Sequence, residues 1–167
     1  MRRTLEILNQ MEHQGVFCRY AIGGAVGAIF YIEPMLTFDL DVFILLPPSS
    51  AGLVTLESVY DWLRAHGYQA KKETVEIEGV PVQFLPAHNA LTEEALDEAL
   101  IQDYEGIPAR VMRPEHLIAI MLQTGRDKDR ERLSIFREEA KFDCGYLDVV
   151  LTRHGLRAKW ETWTRKA

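Results

Sequence analysis

The spacing of hydrophobic residues changes along the chain, and it predicts which segments are helices and which are strands. Ahead of Gly15, apolar residues recur at helical spacing at Leu5, Leu8 and Met11. This spacing predicts an amphipathic first helix that ends at a C-cap glycine. The further predicted helices lie at residues 25–32, 50–67, 92–101, 114–125, 126–140, 144–155 and 156–166. The predicted strands lie at residues 16–22 and 38–46, within a hairpin over 68–86 that turns at Glu78-Gly79, and at 107–112.

Helices and strands are mixed up to residue 113, whereas the segments after it show helical periodicity only. This order predicts a mixed α/β (α+β) fold, with an α/β part at residues 1–113 and a C-terminal helical subdomain at residues 114–167. Within the first part, the hairpin is expected to lie beside the strand at 38–46. Thr92, which precedes two acidic residues, is predicted to be the N-cap of its helix.

Composition and charge narrow the classes of function. The chain has 167 residues, of which 47% are hydrophobic and 26% charged, and this suits one globular unit with a core of its own. A net charge of −6 argues against a diffuse basic surface that holds long nucleic acid. The two cysteines, Cys18 and Cys144, belong to no disulfide or metal motif, so we expect a reducing, cytoplasmic location. The apolar runs are too short to span a bilayer, so we expect no membrane partner.

Two carboxylates stand one residue apart in the stretch FDLDVFILL, at the start of a hydrophobic strand. Because side chains alternate between the faces of a strand, Asp39 and Asp41 point the same way, with Cα atoms about 7 Å apart. Such like charges repel each other unless a cation lies between them. Mg²⁺ prefers oxygen ligands of this kind and completes its coordination with water and substrate phosphates. Asp39 and Asp41 are therefore candidate metal ligands, and the alternative is a solvated strand end.

A glycine pair, Gly23-Gly24, stands where a predicted strand turns into a helix. Without Cβ atoms, the backbone amides at such a turn approach an anion closely, and the following helix directs its positive end at that anion. A tight turn without a ligand is the alternative. The order of glycine pair, short helix and Asp-x-Asp strand favours a triphosphate at the glycines whose metal is held by Asp39 and Asp41.

Four segments together resemble the nucleotidyltransferase superfamily, which has the polymerase-beta-like fold. The segments are AIGGAVGAIF, LTFDLDVFILL, VPVQFLP and PEHLIAIMLQTGRDKDRERL. The chain is similar to small bacterial proteins related to the nucleotidyltransferase component of abortive-infection toxin-antitoxin systems. The resemblance implies a twisted mixed sheet flanked by helices and a helical bundle that helps close the cleft. It also implies metal-dependent transfer of a nucleotidyl group from a nucleoside triphosphate.

The chain departs from the family pattern on the next central strand, where relatives usually carry a third carboxylate. The corresponding residue here is Gln83. An amide coordinates through its carbonyl oxygen but brings no charge and takes no proton. If Glu78-Gly79 makes a two-residue turn, Glu76 is the diagonal neighbour of Gln83 on the same face and is a candidate substitute. The alternative for Glu76 is an ordinary solvated strand residue.

The basic residues of the helical part depart from the family pattern as well. Relatives often carry a lysine near the position of Met121, whereas Arg126 and Lys128 match the basic part of that motif. Both are candidate phosphate ligands, and a solvated helix face is the alternative. Thr37, two residues before Asp39, is a further candidate for nucleotide binding.

These residues predict a nucleotidyltransferase-like protein that binds a nucleoside triphosphate with Mg²⁺ and transfers a nucleotidyl group to a hydroxyl. The acceptor is open, and both tRNA and a protein are candidates. The alternative is a catalytically silent module of the same fold that binds a nucleotide or a partner, since Gln83 replaces a carboxylate. Activity, base preference, acceptor and oligomeric state stay open at the level of sequence.

Overall fold

The computed structural model describes residues 1–34, 36–37, 39–48 and 55–165. The helices are α1 (Arg2–His13), α2 (Gly24–Ile29), α3 (Glu57–Ala65), α4 (Ala90–Asp97), α5 (Pro114–Thr124), α6 (Asp127–Glu139), α7 (Cys144–Arg153) and α8 (Arg157–Thr164). The strands are β1 (Arg19–Ile22), β2 (Leu40–Leu45), β3 (Ala70–Lys71), β4 (Thr74–Ile77), β5 (Val80–Pro86), β6 (Leu100–Tyr104) and β7 (Ile107–Val111). Among these described helices, none combines the length and the apolar composition that crossing a membrane requires.

The described strands form one sheet in the order β3-β4-β5-β2-β1-β7-β6. β2 is antiparallel to β1 and parallel to β5. β1 is parallel to β7, and the other pairs are antiparallel. The predicted mixed α/β fold is confirmed, and the hairpin of β4 and β5 lies beside the acidic strand β2, as predicted. β2 is thus hydrogen-bonded along both edges, which fixes the backbone that carries Asp41.

Two Glu-Gly turns of the same form build the outer parts of the sheet. Glu78 and Gly79 join β4 to β5 with φ values of 52° and 80°, and Glu105 and Gly106 join β6 to β7 with 53° and 80°. Positive φ at both central residues belongs to the two-residue turn whose twist matches that of paired strands. The sequence analysis predicted the first of these turns but not the second, so it also missed β6.

The predicted helix at 92–101 was wrong at both ends. Its N-cap is Asn89 rather than Thr92, because the Asn89 side chain accepts a hydrogen bond from the Thr92 backbone N–H at 3.0 Å. The Thr92 side chain accepts one in return from the Asn89 backbone N–H at 3.4 Å. At the other end, Leu100 and Ile101 leave the helical pattern and pair with β7. Pairing between strands overrides the local helical propensity there.

The predicted helix at 50–67 is seen over the nine residues of α3, and residues 49–54 lie outside the described part of the chain. Every element after residue 113 is a helix, as predicted. The division into an α/β part and a helical subdomain at that residue stays a prediction.

Each face of the sheet carries its own hydrophobic core. Because side chains alternate along a strand, Tyr20 and Ile22 of β1 pack with α1 and α3 on one face. Ala21 packs on the other face, with residues of α2, α4, α5, α6 and α7. Asp41 and Phe43 of β2 alternate with its buried core residues Leu40, Val42 and Ile44. The side chains of Asp41 and Phe43 therefore face the layer formed by α2, α4 and the C-terminal helices.

A carboxylate on α4 ties this helix to the C-terminal helices. Glu94 accepts hydrogen bonds from Arg153 Nη1 at 2.7 Å and from His154 Nε2 at 2.8 Å, and His116 Nε2 lies 3.3 Å away. Burial alone would raise the pKa of Glu94, but the hydrogen bonds from Arg153, His154 and His116 outweigh it and lower that pKa from 4.5 to about 2. Burial lowers the pKa of His116, so this imidazole favours its neutral form in the folded protein.

Glu94→Gln is expected to lower the free energy of unfolding at pH 7 by about 1–2 kcal/mol, because the variant loses these ion pairs, which solvent screens in part. A lowered carboxyl pKa contributes stability above 4.5 that is lost as the pH falls from 4.5 through about 2. Urea unfolding at a series of pH values measures both the loss of stability in the variant at pH 7 and the disappearance of that loss in acid. The control is Glu93→Gln on the same helix, an exposed residue whose replacement is expected to change stability by about 0.5 kcal/mol or less.

Candidate functional site

The predicted acid pair lies at the entrance of β2 and faces a cleft. Asp39 and Asp41 both line a cavity of about 290 Å³. Asp41 also lines an adjoining cavity of about 270 Å³. The two cavities share Asp41, Gln83, Arg126 and Arg132, so they form one cleft between the sheet and the helical layer. Among the described residues, no group donates a hydrogen bond to either carboxylate, and neither carboxylate makes an ion pair.

Gln83 lies directly beside Asp41. The two residues are register partners in the parallel pair of β2 and β5, and Gln83 lines both cavities of the cleft. Its side chain therefore lies in the cleft next to the Asp41 carboxylate, and its correspondence to a third carboxylate of relatives stays a prediction. The amide offers an oxygen to a cation without adding a charge.

Gly24 touches the Asp41 carboxylate from the other side. A Cβ atom on Gly24 would overlap Oδ2 of Asp41 and would lie 2.6 Å from its Cγ. Gly24 also has a φ of +57°, in the left-handed region that favours glycine. Gly23, the N-cap of α2, lies against the ring of Phe43, where a side chain would collide with that ring. The glycine pair thus allows α2 to approach the acid pair closely.

The electrostatic setting of Asp41 raises its pKa. Burial is the largest cause, and the nearby charge of Asp39 adds to it. Arg126, Arg132 and Lys128 act in the opposite direction but do not cancel these effects. An ionised carboxylate in this position lacks a donor and faces a like charge, so a bound cation would stabilise it.

The N-cap and the first two turns of α6 bring three cations to the cleft. Arg126, Lys128 and Arg132 line the cavity that contains both aspartates. Arg126 makes a bidentate ion pair with Asp129, with Nε–Oδ2 at 2.8 Å and Nη2–Oδ1 at 3.0 Å. Among the described residues, Lys128 and Arg132 pair with no carboxylate. These two cations are therefore available to an anionic ligand.

Arg132 is a cleft residue that the sequence analysis missed. It lies four residues after Lys128 on α6, and residues at this spacing share one face of a helix. That spacing was the signal that could have found it. Thr37, a predicted residue, does line the cleft, where its hydroxyl donates a hydrogen bond to the backbone oxygen of Asp39 at 3.2 Å.

Glu76 is the predicted residue that the structure does not bring into the cleft. It lies opposite Pro81 on the same face of the hairpin as Gln83, and its exposed carboxylate forms an ion pair with Lys71 at 3.3 Å. Neither cavity of the cleft is lined by Glu76. Its role as a substitute carboxylate stays a prediction.

One wall of the cleft is apolar. On the face of the sheet that lines the cleft, Phe43 follows Asp41 along β2 and Leu85 follows Gln83 along β5. Phe43 and Leu85 are also register partners. The apolar wall consists of Phe43, Leu85, Leu117, Ile120 and Met121. Met121 thus contributes a thioether to this wall. That it stands in place of a lysine of relatives stays a prediction.

Comparison with protein families decides the classification. The model of a family described as nucleotidyl transferase of unknown function (DUF2204) matches residues 1–161. The chain belongs to this family. Membership in DUF2204 confirms the predicted nucleotidyltransferase superfamily. The similarity to toxin-antitoxin components stays a prediction. A search of curated proteins found no match to this DUF2204 chain.

Solved structures share the DUF2204 fold at low sequence identity. The crystal structure of ANT(2″)-Ia in complex with adenylyl-2″-tobramycin is 14% identical with a TM-score of 0.54, and the alignment covers 93% of this chain and 98% of that one. A crystal structure of an antigenic nucleotidyltransferase-like protein from Paracoccidioides brasiliensis is 12% identical with a TM-score of 0.55, covering 96% and 91%. The solution structure of the antibiotic-resistance factor ANT(2″)-Ia is 16% identical with a TM-score of 0.51, covering 96% and 94%. These likenesses establish the fold alone.

Proposed function

We propose that the chain binds a nucleoside triphosphate together with Mg²⁺ in the cleft and transfers the nucleotidyl group to a hydroxyl acceptor. One observation carries the proposal. Two aspartates without hydrogen-bond donors among the described residues share a cleft with three cationic side chains from α6. Carboxylates without donors suit a metal ion, and cations beside them suit the phosphates that such a metal carries.

The donor atoms of the cleft fit Mg²⁺. Asp39 and Asp41 would hold the ion through carboxylate oxygens, and Gln83 offers an amide oxygen beside Asp41. Mg²⁺ is commonly bound by one or two carboxylates while water and substrate phosphates fill its other positions. When bound, the ion supplies charge stabilisation at the phosphates and makes an attacking hydroxyl more acidic.

The other residues of the cleft would each contact or support a different part of the bound nucleotide. Lys128 and Arg132 would bind phosphate oxygens, since neither is engaged by a carboxylate among the described residues. Arg126 keeps donors beyond those it gives to Asp129 and would contact the phosphates as well. Gly23 and Gly24 would let the triphosphate approach the start of α2, and Thr37 would support the loop that carries Asp39.

Binding and transfer are tested separately. Thermal unfolding of the protein with Mg²⁺ and each nucleoside triphosphate tests binding, because a ligand that prefers the folded state raises the midpoint by mass action. Incubation with a triphosphate labelled at the α-phosphate and a cell extract then tests transfer and reports the acceptor. Absence of any Mg²⁺-dependent stabilisation by any triphosphate would contradict the proposal.

The second candidate is a catalytically silent module that binds the nucleotide without transferring it. Gln83 favours this alternative, because an amide beside Asp41 cannot take the proton of an attacking hydroxyl. In that case Mg²⁺-dependent binding would be seen without labelled product. The silent module would then act through a partner that senses the bound nucleotide.

Gln83→Asp is expected to increase Mg²⁺ affinity about tenfold, because an added ligand charge beside Asp41 strengthens the site. Calorimetric titration with Mg²⁺ measures this, and the labelling assay shows whether transfer increases as well. The control, Gln69→Asp, adds the same charge at an exposed position outside the cleft and is expected to leave Mg²⁺ affinity unchanged. Equal affinity in wild type and Gln83→Asp would remove Gln83 from the proposed metal site.

A further inference from the structure

Asp129 is almost fully buried, and its hydrogen bonds come from a single neighbour. The side chain is 1% exposed. Its carboxylate accepts hydrogen bonds from the Nε and Nη2 groups of Arg126 at 2.8 and 3.0 Å, and from the Arg126 backbone N–H at 3.1 Å. Among the described residues, no other group donates to this carboxylate. The contacts of Asp129 are thus devoted to the conformation of one arginine.

Asp129 also stabilises the start of α6, because it is residue N3 of this helix and its carboxylate accepts the backbone N–H of the N-cap residue Arg126. The side-chain ion pair itself adds little further stability, because the Arg126 side chain is 54% exposed and solvent screens the pair. What the bidentate pair does provide is orientation, since the planar guanidinium is fixed by two parallel bonds. The pair therefore specifies the direction of the Arg126 side chain.

That direction is into the cleft. Arg126 lines both cavities, and its side chain is 54% exposed despite the pair. A guanidinium has five N–H donors, and Asp129 occupies only one on Nε and one on Nη2. The charges of Arg126 and Asp41 also act on each other, because Arg126 opposes the rise in the Asp41 pKa. The free donors of Arg126 thus lie near the proposed metal ligands.

The two other cations of the cleft have no such support. Among the described residues, Lys128 and Arg132 make no ion pair, so each must order its long side chain when a ligand binds. This ordering costs rotamer entropy. Arg126 has already lost that freedom in its pair with Asp129. The cleft therefore holds one oriented cation and two free ones.

We propose that Asp129 is a positioning residue that aims the Arg126 guanidinium at the phosphates of the bound nucleotide. This inference rests on the proposed function, since it assigns Arg126 to the triphosphate. Asp129 borders one cavity of the cleft as well, but its oxygens accept the hydrogen bonds of Arg126, so it acts on the nucleotide through Arg126. Lys128 and Arg132 bind the same ligand independently of Asp129.

A double-mutant cycle tests this, with calorimetric titration of Mg²⁺ and the non-hydrolysable α,β-methylene ATP as the probe. Asp129→Asn and Arg126→Met are each expected to weaken binding about tenfold, the scale of a charge-assisted contact. The double variant is expected to be no weaker than either single one, because both remove the same contact. Asp129→Asn combined with Arg132→Met is instead expected to be additive, about a hundredfold weaker.

The pair of Asp61 and Arg64 provides a matched control. These residues form an Asp–Arg ion pair at the same spacing of three residues, on α3 and away from the cleft. Asp61→Asn is expected to leave probe affinity unchanged. Thermal unfolding of each variant shows that it is folded, and Arg126→Lys keeps the charge and the backbone hydrogen bond to Asp129 if Asp129→Asn proves unstable. Because lysine cannot form the bidentate pair that orients the guanidinium, Arg126→Lys alone is expected to weaken binding nearly as much as Arg126→Met, and wild-type affinity in Arg126→Lys would overturn the inference.

The outcomes separate the inference from the proposed function. Wild-type protein that fails to bind the probe overturns the proposed function and this inference together. Wild-type binding with additive effects of Asp129→Asn and Arg126→Met overturns the inference alone, since Asp129 would then act through the fold of α6. Unchanged affinity in Asp129→Asn overturns it as well.

Discussion

Asp41→Asn is expected to abolish Mg²⁺-dependent nucleotide binding while making the ligand-free protein more resistant to heat. The loss of binding follows from the position of Asp41, which lines both cavities of the cleft and stands beside Asp39 and Gln83. Removing a metal ligand is expected to lower transfer at least about a hundredfold, since even residues that only support metal ligands are worth ten- to a hundredfold.

The gain in stability has a separate cause. Burial and the charge of Asp39 raise the pKa of Asp41, so ionised Asp41 destabilises the ligand-free fold. A raised carboxyl pKa means that stability is complete below the ordinary value of 3.8 and is lost as the pH rises through the folded-state pKa. Asparagine has no charge to lose, so at neutral pH the variant is expected to melt about 2 °C higher. The difference is expected to vanish in acid.

Calorimetric melting without ligand, with Mg²⁺ alone and with Mg²⁺ and nucleotide measures both effects. Asp148→Asn, an exposed aspartate on α7, is the control and is expected to change neither. A ligand-free Asp41→Asn protein that melts below wild type at neutral pH would show that the Asp41 carboxylate stabilises the fold. Such a result would contradict the view of Asp41 as an unsatisfied metal ligand.

Gly24→Ala is expected to remove nucleotide binding although it replaces no ligand-binding side chain. The new Cβ atom would overlap Oδ2 of Asp41, and the backbone of Gly24 has a φ of +57°. Either the carboxylate or the start of α2 must move, and in both cases the acid pair leaves its position. We expect affinity for Mg²⁺ with nucleotide to fall about a hundredfold or more.

Gly15→Ala is the control that shows the effect of backbone strain without a collision. Gly15 has a φ of +72°, and a Cβ atom there meets nothing within 4 Å. Both variants bear the cost of a left-handed alanine, about 1 kcal/mol, but only Gly24→Ala collides with a site residue. Titration of both variants with Mg²⁺ and nucleotide measures the contrast. Equal affinities in the two variants would mean that the contact between Gly24 and Asp41 plays no part in the site.

The sequence was informative where a residue's role depends on local order. The Asp-x-Asp pair, the glycine turn and the first hairpin each follow from a few neighbouring residues, whereas Gln83 was placed beside the acid pair by the resemblance to the superfamily. β6 was missed because its pairing depends on β7, and isolated propensity favoured a longer α4. Glu105-Gly106 was the overlooked local signal for that hairpin.

The cationic side of the cleft was harder to predict. Arg126 and Lys128 were candidates, but a run of alternating charges gives no sign of which side chains face inward. Arg132 could have been found from its spacing of four residues after Lys128, but only once the inward side chains of this helix were known. The bond between Asp129 and Arg126 required the burial of Asp129, and burial of a single carboxylate in a polar run cannot be read from neighbouring residues.

The acids of the cleft lie at the start of β2 and its cations lie at the start of α6, so the two halves of the site belong to different layers of the protein. The separation between them is set by the packing that holds α6, including the buried side chains Leu133 and Phe136. Random substitutions that impair function are therefore expected to cluster in two groups. One group surrounds the strand ends, and the other lies in the interior beneath α6, at positions that no substrate ever touches.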